Sequence, residues 1–229
     1  VTGPGRPRAL LAAAAVLVGA LALLLVPGVR GPLPPSGGEL LAGRPLVAFL
    51  GDSWTRGAGA TGRHGYAPMT ADRLGWGWVA LGVGGSGYSV PGPNDSTYGE
   101  RVDAVLAVGA DVVVVQGTLN ERRGAPEALL PAAADTLTRL RAGAGPGTRV
   151  LVVGASHNPG TPPATIDRVN RALAAAAARA GVPFVDPAAQ NWIDPADPAV
   201  WADPIHPNDR GHRLVADRLA PLLRDLVPH

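Results

Sequence analysis

The sequence predicts an α/β domain built on a parallel sheet. Three observations carry the prediction. Five short apolar runs, mostly β-branched or aliphatic, recur along the chain. Each is bounded by Gly, Pro or Asp, and segments with apolar residues at helical spacing separate them. Strands buried on both faces read as continuous apolar runs, and strands that alternate with helices pair in parallel through right-handed crossovers. A chain of 229 residues has room for one such domain and a short appendage.

The elements follow in chain order. Arg6 and Arg8 precede an uncharged stretch over residues 9–29, most apolar over 10–26. Charge followed by a long apolar run is the pattern of a signal peptide or a signal anchor. The run lies between a usual signal-peptide core and a full membrane span of about 20 residues. The good small-x-small site, Ala20-Leu21-Ala22, falls inside the run. Residues 1–30 are therefore expected to be an apolar helix, either a signal peptide or an uncleaved anchor. In both cases the basic side stays in the cytoplasm and the rest lies outside. Residues 31–44, rich in Pro and Gly, read as a linker, and residues 45–229 as the domain.

Strands are expected over 45–50, 78–81, 111–115, 149–153 and 182–185. Helices are expected over 66–74, 98–108, 126–141, 165–180 and 209–226. The last has Asn208 as its cap and Val215, Leu219, Leu222, Leu223 and Leu226 as its inner face.

Composition narrows the function. The chain has no Cys, which excludes disulfides, Cys-ligated metals and a thiol nucleophile. The net charge is +2 and the Arg residues are scattered, which argues against nucleic acid as a partner.

In an open parallel sheet, ligands bind beyond the carboxyl ends of the strands. The first strand is followed by Gly51-Asp52-Ser53-Trp54-Thr55, the second by Gly82-Val83-Gly84-Gly85-Ser86-Gly87, and the third by Gln116-Gly117-Thr118-Leu119-Asn120-Glu121. Asp203-Pro204-Ile205-His206 stands just before the last helix. These are the ingredients of acyl transfer. A hydroxyl nucleophile needs a base, and the base needs a carboxylate to fix its tautomer. Asp203 and His206, three apart on a turn, can meet at Nδ1 while Nε2 faces Ser53. The Ser53 N–H, a glycine N–H after the second strand and the Asn120 amide can supply oxyanion donors.

Gly51-Asp52-Ser53, the later glycine, Gly117-x-x-Asn120 and Asp203-x-x-His206, in that order, resemble the SGNH, or GDSL, hydrolase family. The resemblance spans residues 46–226. It implies a flavodoxin-like three-layer α/β/α sandwich with a five-stranded parallel sheet in the order 2-1-3-4-5. It also implies hydrolysis of esters or thioesters with no metal or organic cofactor. By the same resemblance Ser53 is the nucleophile, Asp203 and His206 complete the triad, and Asn120 belongs to the oxyanion hole. The family's second block, Asn-x-Gly-x-x-Gly, assigns Gly85 to the hole, with Gly84 as the alternative and Ala80 in place of the Asn. Two departures stand out: Trp54 follows the Ser in place of a small aliphatic or Tyr, and Glu121 follows Asn120 in place of Asp.

The remaining residues have blander expectations. Asp52 fixes the turn. His64, His157, His212 and His229 lack a matching partner and are assigned to surface or packing. Trp76, Trp78, Trp192 and Trp201 are expected to pack in the core or at the rim, with a sugar-stacking surface as the alternative and Trp201 the best placed for a substrate contact. The G-x-G-x-x-G matches at 57–62 and 82–87 lack the strand-to-helix context of a dinucleotide site, and G-x-S-x-G is absent. The expectation is a monomeric extracytoplasmic esterase acting on small-molecule, glycan or lipid esters, held to the membrane by residues 1–30 if these are uncleaved. An O-acyltransferase with the same triad and a catalytically silent envelope-binding module are the alternatives.

Overall fold

A computed structural model describes residues 35–227. The signal or anchor expected over residues 1–30 lies outside the described residues, as does His229. Among the described residues, no helix is long and apolar enough to cross a membrane.

The strands are β1 (Gly37–Glu39), β2 (Leu46–Gly51), β3 (Gly77–Gly82), β4 (Val112–Gln116), β5 (Arg149–Val153) and β6 (Phe184–Val185). The helices are α1 (Tyr66–Leu74), α2 (Val102–Ala107), α3 (Pro126–Gly143), α4 (Pro163–Ala180) and α5 (Asp209–Leu226). Alternation along β2 divides the core. Val47 and Phe49 face the layer of α1 and α5, whereas Ala48 and Leu50 face the layer of α2, α3 and α4. Leu219 and Leu223 of α5 fill one side, and Leu137, Leu140 and Leu173 fill the other. Each is fully buried, a contribution of roughly 1.5–3 kcal/mol per side chain. The result is a three-layer α/β/α sandwich.

The expectation of five parallel strands in the order 2-1-3-4-5 needs correction. The sheet has six strands, runs β1-β3-β2-β4-β5-β6, and is mixed. The added strand, β1, comes from the segment read as linker and pairs antiparallel with β3, Gly37 opposite Ala80 and Glu39 opposite Trp78. Gly-Gly-Glu carries no apolar pattern, so periodicity cannot find it. Main-chain bonds hold it and cover what would be the free edge of β3. Ser36 extends the seam: its N–H donates to the Ala80 carbonyl at 2.7 Å, and its hydroxyl accepts from Gly82 N–H at 3.1 Å.

Helix ends follow local chemistry. The Asn208 side chain accepts from the N–H groups of Arg210 and Gly211 and so starts α5. Gly181, at φ 65°, ends α4 in the left-handed region. Pro163 lets α4 begin two residues before the expected position. The expected helix over 98–108 is a 3-10 turn (Gly99–Arg101) followed by α2.

Candidate active site

The carboxyl ends of β2, β3 and β4 converge on Ser53, two residues past the end of β2. Asp52 folds this turn: its Oδ1 accepts the Trp54 N–H at 2.8 Å. Gly82, at the end of β3, packs directly against it. A Cβ there would lie 2.5 Å from the Arg56 nitrogen and 2.9 Å from the Asp52 carbonyl, so only glycine lets the two loops meet.

Ser53 and His206 are brought together across the fold, Oγ to Nε2 at 3.0 Å. The other ring nitrogen, Nδ1, lies 2.7 Å from Asp203 Oδ2. Asp203 also folds its own turn, Oδ1 accepting the N–H groups of Ile205 and His206, each at 2.8 Å. Partial burial pushes the Asp203 carboxyl up. The bonds from the His206 ring and the two N–H groups outweigh it and hold the group below the usual carboxylate range.

Asn120 also reaches the site, in a 3-10 turn (Leu119–Arg123) capped by the Thr118 hydroxyl. Its amide is already engaged, donating to Asp52 Oδ2 at 3.2 Å and to the Ser86 carbonyl at 3.0 Å. Gly85 adopts φ 78° in the turn after β3, and its carbonyl accepts from Arg123. Gly84 is beside the serine: a Cβ there would stand 3.8 Å from Ser53 Cβ. Among the described residues the backbone N–H groups of Ser53, Gly84 and Gly85 make no hydrogen bond within the protein.

Beneath these loops lie groups that sequence reasoning missed. Arg101 is 2% exposed. Its guanidinium donates to the carbonyls of Gly51 (2.9 Å) and Leu81 (2.5 Å) and to the Ser86 hydroxyl (2.7 Å), tying the ends of β2 and β3. It stacks over Tyr98, 4.9 Å from the ring centre. Burial lowers its pKa from the usual value. Glu121 is buried and holds the next loop, accepting the N–H groups of Tyr88 (2.6 Å) and Ser89 (3.2 Å). For Arg101 the available signal was a polar residue within the segment expected as a helix over 98–108, which is weak; Glu121 stood out only as the departure beside Asn120. Burial pushes the Asp52 carboxyl up to about 6, against the pull of the Thr118 hydroxyl, the Trp54 N–H and the charges of His206 and Arg101.

Three histidines expected at the surface or in packing have partners that the sequence did not offer. His64 faces Asp72 at 3.0 Å and His157 faces Asp167 at 2.8 Å, so both have carboxylate partners. His212 is a buried pin between α5 and the loop after Ser53. Its Nδ1 accepts the Tyr66 N–H at 3.1 Å, and its Nε2 donates to the Ala58 carbonyl at 2.9 Å. Burial lowers its pKa to about 4, despite the Ala58 carbonyl and the Asp209 charge. Trp192 is buried; Trp201 packs edge-on against Trp54, with ring centres 6.0 Å apart.

The chain is similar to known proteins. Residues 49–214 match the GDSL-like Lipase/Acylhydrolase family. The GDSL lipase Rv0518 of Mycobacterium tuberculosis is 32% identical over 189 residues, covering 77% of this chain and 80% of the relative. TesA superposes with a TM-score of 0.64 at 24% identity, over 80% of this chain and 99% of its own. SsfX3, a salicylyl-acyltransferase from a tetracycline biosynthetic pathway, superposes at 0.65 with 15% identity, over 81% of this chain and 55% of its own. At those identities the two structures speak for the fold alone. The family match runs from β2 into α5 and encloses every residue of the site, so the chain belongs to the GDSL-like lipase/acylhydrolase family and is a serine ester hydrolase.

Proposed function

We propose that Ser53 is the nucleophile, His206 its general base and Asp203 the group that orients the base. The supporting observation is the relay itself, 3.0 Å from Ser53 Oγ to His206 Nε2 and 2.7 Å from Nδ1 to Asp203. Ser53 Oγ attacks the ester carbonyl as its proton passes to Nε2. The tetrahedral adduct collapses, the C–O bond to the alcohol breaks, and His206 returns the proton to the leaving oxygen. Water then attacks the acyl-enzyme as His206 takes its proton; the C–O bond to Ser53 breaks, His206 returns the proton to Ser53 Oγ, and the carboxylic acid leaves.

The oxyanion forms beside the N–H groups of Ser53 and Gly85, which are free of internal bonds. Asn120 adds a third donor by giving up its longer bond, the 3.2 Å contact to Asp52. The substrate is a carboxylic ester, acyl or acetyl, handled outside the cytoplasm. That location rests on the charge-then-apolar pattern of residues 1–30.

The test uses a fluorophosphonate probe and p-nitrophenyl esters of rising chain length. Wild type is labelled and hydrolyses a subset of the panel. Ser53→Ala loses both while its circular dichroism is unchanged. Hydrolysis by a folded Ser53→Ala protein at the wild-type rate would overturn the mechanism, and labelling at Ser86 or Ser89 would move the nucleophile.

A further inference from the structure

We infer that Trp54 is a positioning residue for the reaction, whose indole N–H fixes the base turn to the nucleophile turn. The inference rests on the roles proposed above for Ser53 and His206. Those two residues are 153 positions apart, and no local geometry sets their distance. The Asp203–His206 turn is stiff within itself. Asp203 accepts two of its N–H groups, and the His206 carbonyl accepts the Ala202 N–H at 2.9 Å. A stiff turn still has to be aimed.

Two main-chain carbonyls in the turn accept bonds from distant loops. Pro204 accepts the Gly160 N–H at 2.7 Å, and Ile205 accepts Trp54 Nε1 at 2.9 Å. The second bond joins the residue after the proposed nucleophile to the residue before the proposed base. Trp54 is 4% exposed. Its ring is wedged between Trp201 at 6.0 Å and His212 at 6.3 Å, both edge-on. An indole so packed has one direction in which to donate, and a buried N–H without its acceptor is costly.

The bond has a further property. The Ser53–His206 contact is remade at each proton transfer, because its donor changes. The Trp54–Ile205 bond takes no part in proton transfer and persists through the cycle. It can therefore hold the two turns in register while the contact between them is broken and re-formed. Misplacement of about 1 Å can cost up to 10²-fold in rate.

Trp54→Phe removes the donor and keeps an aromatic wedge. The expected result is a fall of roughly tenfold in kcat and in the rate constant of fluorophosphonate labelling, with KM unchanged and labelling still reaching full amplitude. A purely structural role would lower the amplitude and the melting temperature and leave the rate constant of the folded fraction at its wild-type value; that result overturns the inference. Should Trp54→Phe not fold, site-specific replacement of the indole by a benzothiophene keeps the bicyclic shape and deletes only the N–H. A wild-type labelling rate constant in its folded fraction would again overturn the proposal, and a slowed one supports it. Ser53→Ala in the Trp54 background keeps the two readings apart. If it still labels, the site assignment has failed. If it does not, an unchanged Trp54→Phe refutes the indole's role alone.

Discussion

Asp52 and Asp203 do the same job in two places, and the comparison shows what environment adds to a side chain. Each uses Oδ1 to fold its own turn, accepting the N–H two residues on. Each offers Oδ2 to a group proposed to act in catalysis, Asp52 to the Asn120 amide and Asp203 to the His206 ring. The turns stand on opposite sides of the Ser53–His206 contact. Asp52 is 1% exposed and burial pushes it up to about 6. Asp203 has a half-exposed side chain, and its partners hold it below the ordinary range. One carboxylate is thus kept ionised well into the acid range where an imidazolium would form, and the other takes up a proton more readily where it braces a buried loop. Position in the fold, not residue type, divides the roles.

The largest expected effect breaks the exposed side of the comparison. In Asp203→Asn the amide oxygen can still accept the turn N–H groups, so the fold survives and the melting temperature stays near wild type. The amide NH₂ then faces Nδ1 and favours the tautomer with its proton on Nε2, which cannot accept from Ser53. The expected loss in kcat is about 10⁴-fold. Kinetics on a p-nitrophenyl ester beside a thermal melt check it; a loss under about tenfold would mean that Asp203 only shapes the turn.

The next effect tests the group that Asp52 holds. Asn120→Ala is expected to lower kcat by roughly 10²–10³, with KM little changed and labelling slowed but not lost. It also removes the bonds to Asp52 and Ser86, so a lower melting temperature accompanies the kinetic loss. If the melting temperature falls while kcat stays within about threefold of wild type, Asn120 braces the loop and stabilises no charge.

Much of this arrangement was legible in the sequence, for a physical reason. Strands of a buried sheet need apolar runs, and the loops at their carboxyl ends need glycine and short polar residues, so Ser53, Asn120 and the Asp203–His206 spacing announce themselves. The helix over Asp209–Leu226 was readable from its cap and its stripe. What escaped was held by main chain or by a few long-range contacts. Strand β1 pairs through backbone groups alone. Arg101 looks like any surface arginine on a short helix until strand order places the Gly51 and Leu81 carbonyls beside its guanidinium. His212 reads as one more residue of the last helix, because its two partners lie about 150 residues away.

The smallest effect sharpens the buried side, and it turns on sign. The Asp52 pKa is raised from its unfolded value of 3.8 to about 6. Between those values the native state holds a proton that the unfolded state has released, so this group's contribution to stability falls as pH rises. His212 is the reverse, lowered from 6.5 to about 4. Across its window the unfolded state binds a proton that the native state refuses, so its contribution rises with pH. Each group is worth on the order of 3 kcal/mol across its window, or about 1.4 kcal/mol per pH unit. From pH 4 to 6 the windows overlap and the two slopes oppose, leaving the pair nearly silent in wild type. Asp52→Asn removes one of them. It also sets two amide donors face to face at Asn120, a cost that does not depend on pH. Urea melts from pH 4 to 7 should therefore show the variant gaining stability over wild type as pH rises, with most of the gain between 4 and 6. His212→Gln should show the opposite trend. Parallel curves for Asp52→Asn and wild type would mean that Asp52 titrates alike folded and unfolded, and the contrast with Asp203 would then lie in geometry alone.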